Sequence, residues 1–326
     1  MGRIGLVLGA GGVVGHAFHA GVLAALADES GFDPRRAEVI VGTSAGSIAG
    51  ALLRAGFSAR DLYEEARAGR PSWRARRRLQ QVERTDDDVP AFPLPADLFG
   101  ALASPRLAAR ALAAPWAVRP GVAAAALLPE GALSTAPFAE RLRPLVGSTW
   151  PSAALWVCAV DLERGRRVVF GRDGAAADLV TALRASCAIP GFFAPVVADG
   201  RRYVDGGAHS PTNADLLADE DLDLVVVSSP MSHTGAWPRI GLDAPGRAFA
   251  RAQLRLEERR LRGTGTPVVV VQPGREVRGA MGLNPMQPAH RAQTAGAAYA
   301  ATRRWLSGRA RPDLLGHLGA RRAAAS

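Results

Sequence analysis

The sequence predicts an α/β protein of three layers, α/β/α, built on a mainly parallel central sheet. Three observations carry this. Short apolar runs of strand length recur along the chain, at 4–9, 38–41, 155–160, 222–228 and 267–272. The first two each run through a glycine-bearing loop into a segment with apolar residues at helical spacing, the strand–loop–helix rhythm of parallel strands covered by helices on both faces. The composition, 48% hydrophobic and 21% charged over 326 residues, is ordinary globular usage with ample material for a core.

Taken in order, residues 4–9 (IGLVLG) read as a buried strand entering the glycine loop GAGGVVG. From 16 to 28, Phe18, Val22, Leu23 and Leu26 recur at helical spacing. A turn at 31–34 precedes the strand at 38–41 (EVIV), and Thr43-Ser44 leads into a helix ending near Gly56. The stretch of about 60–150 shows no strand alternation. Arg70, Arg74, Arg76, Arg77 and Arg78 surround Trp73, an acidic triplet follows at 86–88, and Ala/Leu/Pro segments fill the rest. It reads as a helical insertion, either a cap over one end of the sheet or a solvated pair of surface helices. Strands return at 155–160 and 166–170, then a helix over 175–186, the loop CAIPGFFAPV, and 202–204 leading into Asp205-Gly206-Gly207. The strands at 222–228 and 267–272 flank a charged helix at 244–262, and a last helix spans 288–307 before an Arg/Ala tail at 308–326. With no fixed-period repeat and no low-complexity linker, one domain over 1–326 is expected, its core motifs at 4–56 and 151–217 and its C-terminal strands and helices at 218–307.

All 40 basic residues are arginine against 30 acidic residues, a net charge of +10. A chain so rich in Arg, Ala and Gly carries the codon bias of a GC-rich genome. Aromatic residues, which nucleic-acid binders interleave with their cations, are only 6%, so no nucleic-acid partner is expected. Two cysteines, Cys158 and Cys187, exclude a disulfide framework and lack metal-ligand spacing; they read as small buried hydrophobes in a reducing cytoplasm. The apolar N-terminus imitates a signal peptide, but His16, His19 and five glycines within 9–21 interrupt it. No apolar span reaches the length of about 18–20 residues that a transmembrane helix needs. The expected location is cytoplasmic, and the arginine cluster around Trp73 has two readings, a peripheral contact with an acidic lipid surface or a solvated face. Nothing in the sequence requires a metal or a cofactor, and nothing in it marks an oligomeric state.

The strongest local signal is Gly42-Thr43-Ser44-Ala45-Gly46, which follows an apolar strand and opens a helix. A nucleophile elbow needs that context: the serine sits on a sharp, strained turn, and side chains two positions to either side would collide. Ser44 would project at the C-terminal edge of the sheet, beside a helix N-terminus that favours developing negative charge. In Gly9-Ala10-Gly11-Gly12-Val13-Val14-Gly15, exposed N–H groups suit a phosphate or the oxyanion of a tetrahedral intermediate. The dinucleotide fingerprint does not fit from Gly9, because position 14 is valine, and a Walker loop is excluded by the absence of lysine. Asp205-Gly206-Gly207 places a carboxylate at a strand end, as a base or as a turn former.

These elements, in this order, resemble the patatin-like phospholipase family. The likeness covers residues 4–50 and 179–217: the glycine loop followed by HAGVLAAL, the elbow GTSAGS, the phrase ASCAIPGFFAPV, and YVDGG followed by PTNADLL. The resemblance implies a patatin-like α/β/α fold and a serine hydrolase with a Ser–Asp dyad and no histidine in its mechanism. Ser44 matches the nucleophile and Asp205 the general base. Gly11 and Gly12 match the oxyanion-hole donors, Gly42 and Gly46 the elbow, and Gly206 and Gly207 the DGG motif. The substrate implied is a lipid carboxylic ester: phospholipid, lysophospholipid or acylglycerol. Two positions depart from the family pattern. Ala10 stands where the first of three consecutive glycines is common, and Val14 stands where Arg or Lys is common. Loop N–H donors survive both changes, since they depend on backbone shape; the charge that would help to bind an anionic headgroup does not.

The dyad chemistry is sound in its own terms. A serine hydroxyl becomes nucleophilic when a neighbour takes its proton, and a carboxylate can do so once burial raises its pKa. No histidine is assigned a role. His16 and His19 fall on the first helix, one of them hydrogen-bonded near the loop, His209 reads as a loop residue, and His233, His290 and His317 lie in no telling motif. Two other readings remain open: a catalytically idle lipid-binding homologue, spoiled at Ala10 and Val14, and a nucleotide-binding protein using the N-terminal glycine loop.

Overall fold

The computed structural model describes residues 2–69, 77, 101–235 and 244–308. The arginine cluster around Trp73, apart from Arg77, the acidic triplet at 86–88, His317 and the tail from 309 lie outside the described residues.

Eight strands form one sheet: β1 (Ile4–Leu8), β2 (Val39–Thr43), β3 (Ala154–Asp161), β4 (Arg166–Phe170), β5 (Val196–Ala198), β6 (Arg201–Asp205), β7 (Leu224–Ser228) and β8 (Val268–Val271). Side by side, β3, β2, β1, β7 and β8 run parallel. The other three are antiparallel, β4 and β6 on β3 and β5 on β6. The fold is therefore mixed α/β with a mostly parallel sheet, as the strand–loop–helix rhythm predicts.

The parallel strands are apolar on both faces because both faces are covered. Alternation sends Leu6, Leu8 and Ile40 to one side, against α1 (Gly12–Ser30), α2 (Ala45–Arg54), α3 (Ala59–Ala68), α7 (Leu179–Ser186) and α10 (Arg291–Ser307). Val7, Val39, Val41 and Trp156 face the other way, against Leu216 and Leu217 and against Leu254 and Leu261 of α8 (Ala244–Gly263). No helix among the described residues is long and apolar enough to cross a membrane.

Between α3 and β3 the described part of the insertion is helical: α4 (Pro105–Ala113), α5 (Pro120–Leu127) and α6 (Ala136–Val146). It carries a core of its own, with Leu107, Val122 and Ala126 packed on Val160, Leu162 and Val204 of the sheet region. So α4 and α5 lie on the sheet, not free in solvent, while α6 packs its Leu142 into the core on the other side.

Several boundaries move. Helix α1 starts at Gly12, four residues before the first predicted helical position, because the glycine run that reads as loop already turns helical. The helix expected from 175 starts at Leu179, where the Asp178 side chain caps the Thr181 N–H at 2.7 Å. Strand β5 and helix α9 (Arg275–Met281) are new: three and seven residues are too few to show a period.

One feature of the sheet positions the site. Val157 and Cys158 pair with β2 and β4 at once, whereas Ala159, Val160 and Asp161 pair with β4 and β6. Strand β4 therefore occupies one edge of β3, and β2 and β6 share the other edge end to end. Thr43 closes β2 opposite Cys158, and Asp205 closes β6 opposite Ala159, the next residue along.

Candidate active site

Ser44 follows β2 directly and precedes α2. Its backbone lies at φ 53°, ψ −121°, one of three non-glycine residues with positive φ among the described residues. Such a conformation costs of order 1–3 kcal/mol, so its surroundings must impose it. They do. The Ser44 N–H donates to Ser186 Oγ at 2.9 Å, and the Ser47 hydroxyl donates to the Ser44 carbonyl at 2.7 Å. A Cβ on Gly42 would lie 2.5 Å from Ser47 Cα, and one on Gly46 only 1.9 Å from the Leu8 carbonyl oxygen. The first glycine thus lets the turn close on itself. The second seats α2 on the end of β1.

The end-to-end meeting of β2 and β6 brings Asp205 to Ser44. Both are buried, Ser44 at 4% and Asp205 at 5% exposure. The carboxylate accepts the Gly207 N–H at Oδ1, 2.7 Å, and the Ser44 side chain lies near enough to act on it. Burial pushes the Asp205 carboxyl up to about 6, and the Gly207 N–H and the nearby Ser44 side chain pull it back only in part. Gly206 is a close-approach residue here, since a Cβ would lie 2.4 Å from the Cys158 carbonyl oxygen.

The glycine loop leaves β1 beside this pair, Leu8 being in register with Gly42. A Cβ on Gly207 would lie 3.4 Å from Ala10 Cβ, so the loop touches the DGG turn. Its outgoing groups divide sharply. Gly9 N–H donates to the Ser228 carbonyl and Ala10 N–H to the Pro211 carbonyl, while Val14 N–H donates to the Pro285 carbonyl. The Gly11 and Gly12 N–H groups take no acceptor among the described residues. Side chains are excluded at both: a Cβ on Gly11 would lie 2.7 Å from Gly15 Cα, and one on Gly12 2.7 Å from the Pro285 carbonyl oxygen. The N-termini of α1 and α2 both open on this corner, favouring negative charge there.

His19 braces the loop from beneath. Its Nε2 donates to the Gly9 carbonyl at 2.7 Å, and its Nδ1 accepts from Ser228 Oγ at 2.8 Å. Burial lowers it to about 3, so the ring stays neutral and keeps this tautomer. This is the loop-bonded histidine the first helix was expected to supply. His209, also lowered to about 3 by burial and by the charges of Arg167 and Arg119, is no candidate base.

Three residues had no sequence signal of their own. Ser186 and Cys187 sit in the ASCAIPGFFAPV phrase, Asn213 in PTNADLL. The Asn213 side chain donates to Thr43 Oγ1 at 3.1 Å and to the Ser210 and Gly206 carbonyls at 2.6 and 3.5 Å. It thereby ties the residue before Ser44 to the residue after Asp205. Arg167 holds it from outside, donating to Asn213 Oδ1 at 3.1 Å and to both carboxylate oxygens of Asp215 at 2.6 and 2.9 Å. Cys187 departs from the bland reading of the cysteines. It is half-buried, and its thiol lies near enough to Ser47 and Ser44 to feel both. Burial and the nearby Asp205 charge push that thiol up, so it stays protonated. Cys158 is buried as expected, its thiol raised to about 12 by burial. Among the described residues no group of three or more His, Cys, Asp or Glu is arranged to hold a metal ion.

A family model described as patatin-like phospholipase matches residues 6–218, from β1 to just beyond the PTNADLL segment. The chain belongs to the patatin-like phospholipase family. Two solved structures are similar to it: VipD from Legionella pneumophila, at 15% identity and TM-score 0.42, and the type III effector protein ExoU, at 18% and 0.34. Each alignment covers 94% of this chain, but 67% of VipD and 54% of ExoU. Membership supports lipid acyl hydrolysis in general terms. In this member of the family the matched segment contains every residue described at the corner except Ser228 and Pro285, which come from the C-terminal third.

Proposed function

We propose that this protein hydrolyses carboxylic esters of lipids through an acyl-enzyme on Ser44, with Asp205 as general base. One observation carries the reading: a serine on a strained elbow stands beside a buried carboxyl raised to about 6, a base strength suited to neutral pH. In the first half-reaction Ser44 Oγ bonds to the ester carbonyl carbon as its proton passes to Asp205. The carbonyl π pair moves to oxygen, forming an oxyanion for which the Gly11 and Gly12 N–H groups are the donors. Collapse of this intermediate breaks the bond to the alcohol, which leaves with the proton held on Asp205. Water then attacks the acyl carbon while Asp205 takes its proton. Cleavage of the bond to Ser44 Oγ releases the fatty acid and returns the proton to the serine. A single oxyanion donor is typically worth about 10²–10³ in rate. Ala10 supplies no donor, since its N–H is already taken by Pro211, so the change from glycine there leaves the two donors in place. Phospholipid, lysophospholipid and acylglycerol all fit this chemistry.

Labelling with a fluorophosphonate probe tests the proposal directly. Wild type is expected to label, and Ser44→Ala not to. Asp205→Asn is expected to lose about 10⁴-fold in ester turnover with its fold intact by circular dichroism. Folded wild type that takes no label, or an Asp205→Asn variant with full turnover, overturns the dyad.

A further inference from the structure

Helices α4 and α5 form a hairpin whose tip, the last turn of α4 and the connection 114–119, points two large apolar side chains into water. Leu112 is 74% and Trp116 85% exposed, the two most exposed large hydrophobic residues among those described. Ala109, Ala113, Pro115 and Ala117 around them are exposed as well. An isolated exposed leucine is ordinary, but a bare tryptophan on an apolar tip is not. The charge of the tip is one-sided. Residues 101–129 contain no Asp or Glu, and Arg106, Arg110 and Arg119 are all exposed. Arg119 donates to Gln253 at 3.1 Å. At the hairpin's base Glu130 and Glu163 are both ion-paired with Arg202, and Asp215, which feels the charge of Arg119, is itself held by Arg167.

The tip is anchored and close to the candidate site. The hairpin's own core packs it on Val160 and Val204 of β3 and β6. A Cβ on Gly121 would lie 2.3 Å from the Ala208 carbonyl oxygen, so α5 begins against the turn that follows Asp205. Arg119 is near enough to His209 to lower it by its charge.

We infer that this tip docks on an anionic lipid surface. Trp116 and Leu112 enter the headgroup–acyl boundary, where an amphipathic indole is favoured, and the arginines meet lipid phosphates. The inference rests on the hydrolase reading only for its purpose, which is to bring the Ser44 corner to the bilayer. The binding itself is independent of catalysis.

Co-sedimentation with vesicles of phosphatidylglycerol and phosphatidylcholine, beside vesicles of phosphatidylcholine alone, provides the test. Wild type is expected to prefer the anionic vesicles and to be released by salt. The double variant Leu112→Ala, Trp116→Ala is expected to partition at least about tenfold less onto either. Arg106→Gln with Arg110→Gln is expected to remove the anionic preference alone. Turnover of a water-soluble short-chain ester is expected to be unchanged in both, since none of these side chains touches the dyad. Absence of binding by wild type, or variants that bind like it, overturns the inference. So does a double variant whose only change is in self-association, read by analytical ultracentrifugation. Vesicle binding without Ser44 labelling would sink the hydrolase reading and leave the docking surface standing; labelling without vesicle binding would do the reverse.

Discussion

Asp205 joins two requirements that oppose each other, burial and a charge. Its folded pKa of about 6 stands above the ordinary value of 3.8, with burial as the main cause. For catalysis the base form is needed, so ester turnover is expected to rise with pH through about 6 and then level off. A limb there is often credited to a histidine, but His19 and His209 are both lowered to about 3 by burial. A His209→Gln variant is therefore expected to keep the limb, and a pH–rate profile checks it. The same shift has a stability consequence of definite sign. Between about pH 4 and 6 the unfolded chain has released the Asp205 proton while the folded chain retains it, so stability falls as pH rises through this window. Two pK units correspond to roughly 3 kcal/mol at neutral pH. Asp205→Asn is expected to unfold at higher urea than wild type at pH 8, with the difference gone at pH 4.

At the level of elements, the elbow depends on how close α2 lies to β1. Gly46→Ala sets a Cβ 1.9 Å from the Leu8 carbonyl, a backbone atom of a buried strand that has no room to retreat. The expected cost is about 3 kcal/mol or more, seen as a lowered midpoint in urea, with Ser44 labelling lost in whatever fraction folds. Gly31→Ala is the useful contrast, because no atom lies within 4 Å of its Cβ position and the cost there is left-handed strain alone. The central strands were legible because a parallel strand covered on both faces is apolar throughout, as VVV in β7 and VVVV in β8 are. Strand β5 was not, since Val197 faces water and only Val196 and Ala198 are buried, too short a record to read. Helix α1 was legible in type and misplaced at its start, for glycines 11, 12 and 15 serve as loop and first turn together.

Across the whole molecule, Ser44 and Asp205, 161 residues apart in sequence, must meet at one corner, and Asn213 is the clasp between their segments. It sits at φ 54°, a left-handed conformation that asparagine tolerates better than most residues, and its donors reach both Thr43 and Gly206. Asn213→Gly keeps the backbone and removes the donors. It is expected to lower kcat for a soluble ester by about 10–10²-fold with KM little changed, because misplacement of the serine and carboxylate costs rate more than binding. Rescue is expected from no residue lacking an amide donor, Asp included. The sequence by itself determined the strand–loop–helix class, the family, and the identity of Ser44 and Asp205 as candidates, since local patterns and close-approach glycines are written within a few residues of each other. Only the tertiary structure decided that β2 and β6 share one edge of β3. That sharing sets Asp205 beside Ser44; only the packed structure also shows Gly11 and Gly12 without acceptors among the described residues, Cys187 near the serine, and Trp116 exposed at the hairpin tip. Pairings of this kind depend on which strand edge and which helix face are left open once the rest has packed, and no local window of sequence contains that information.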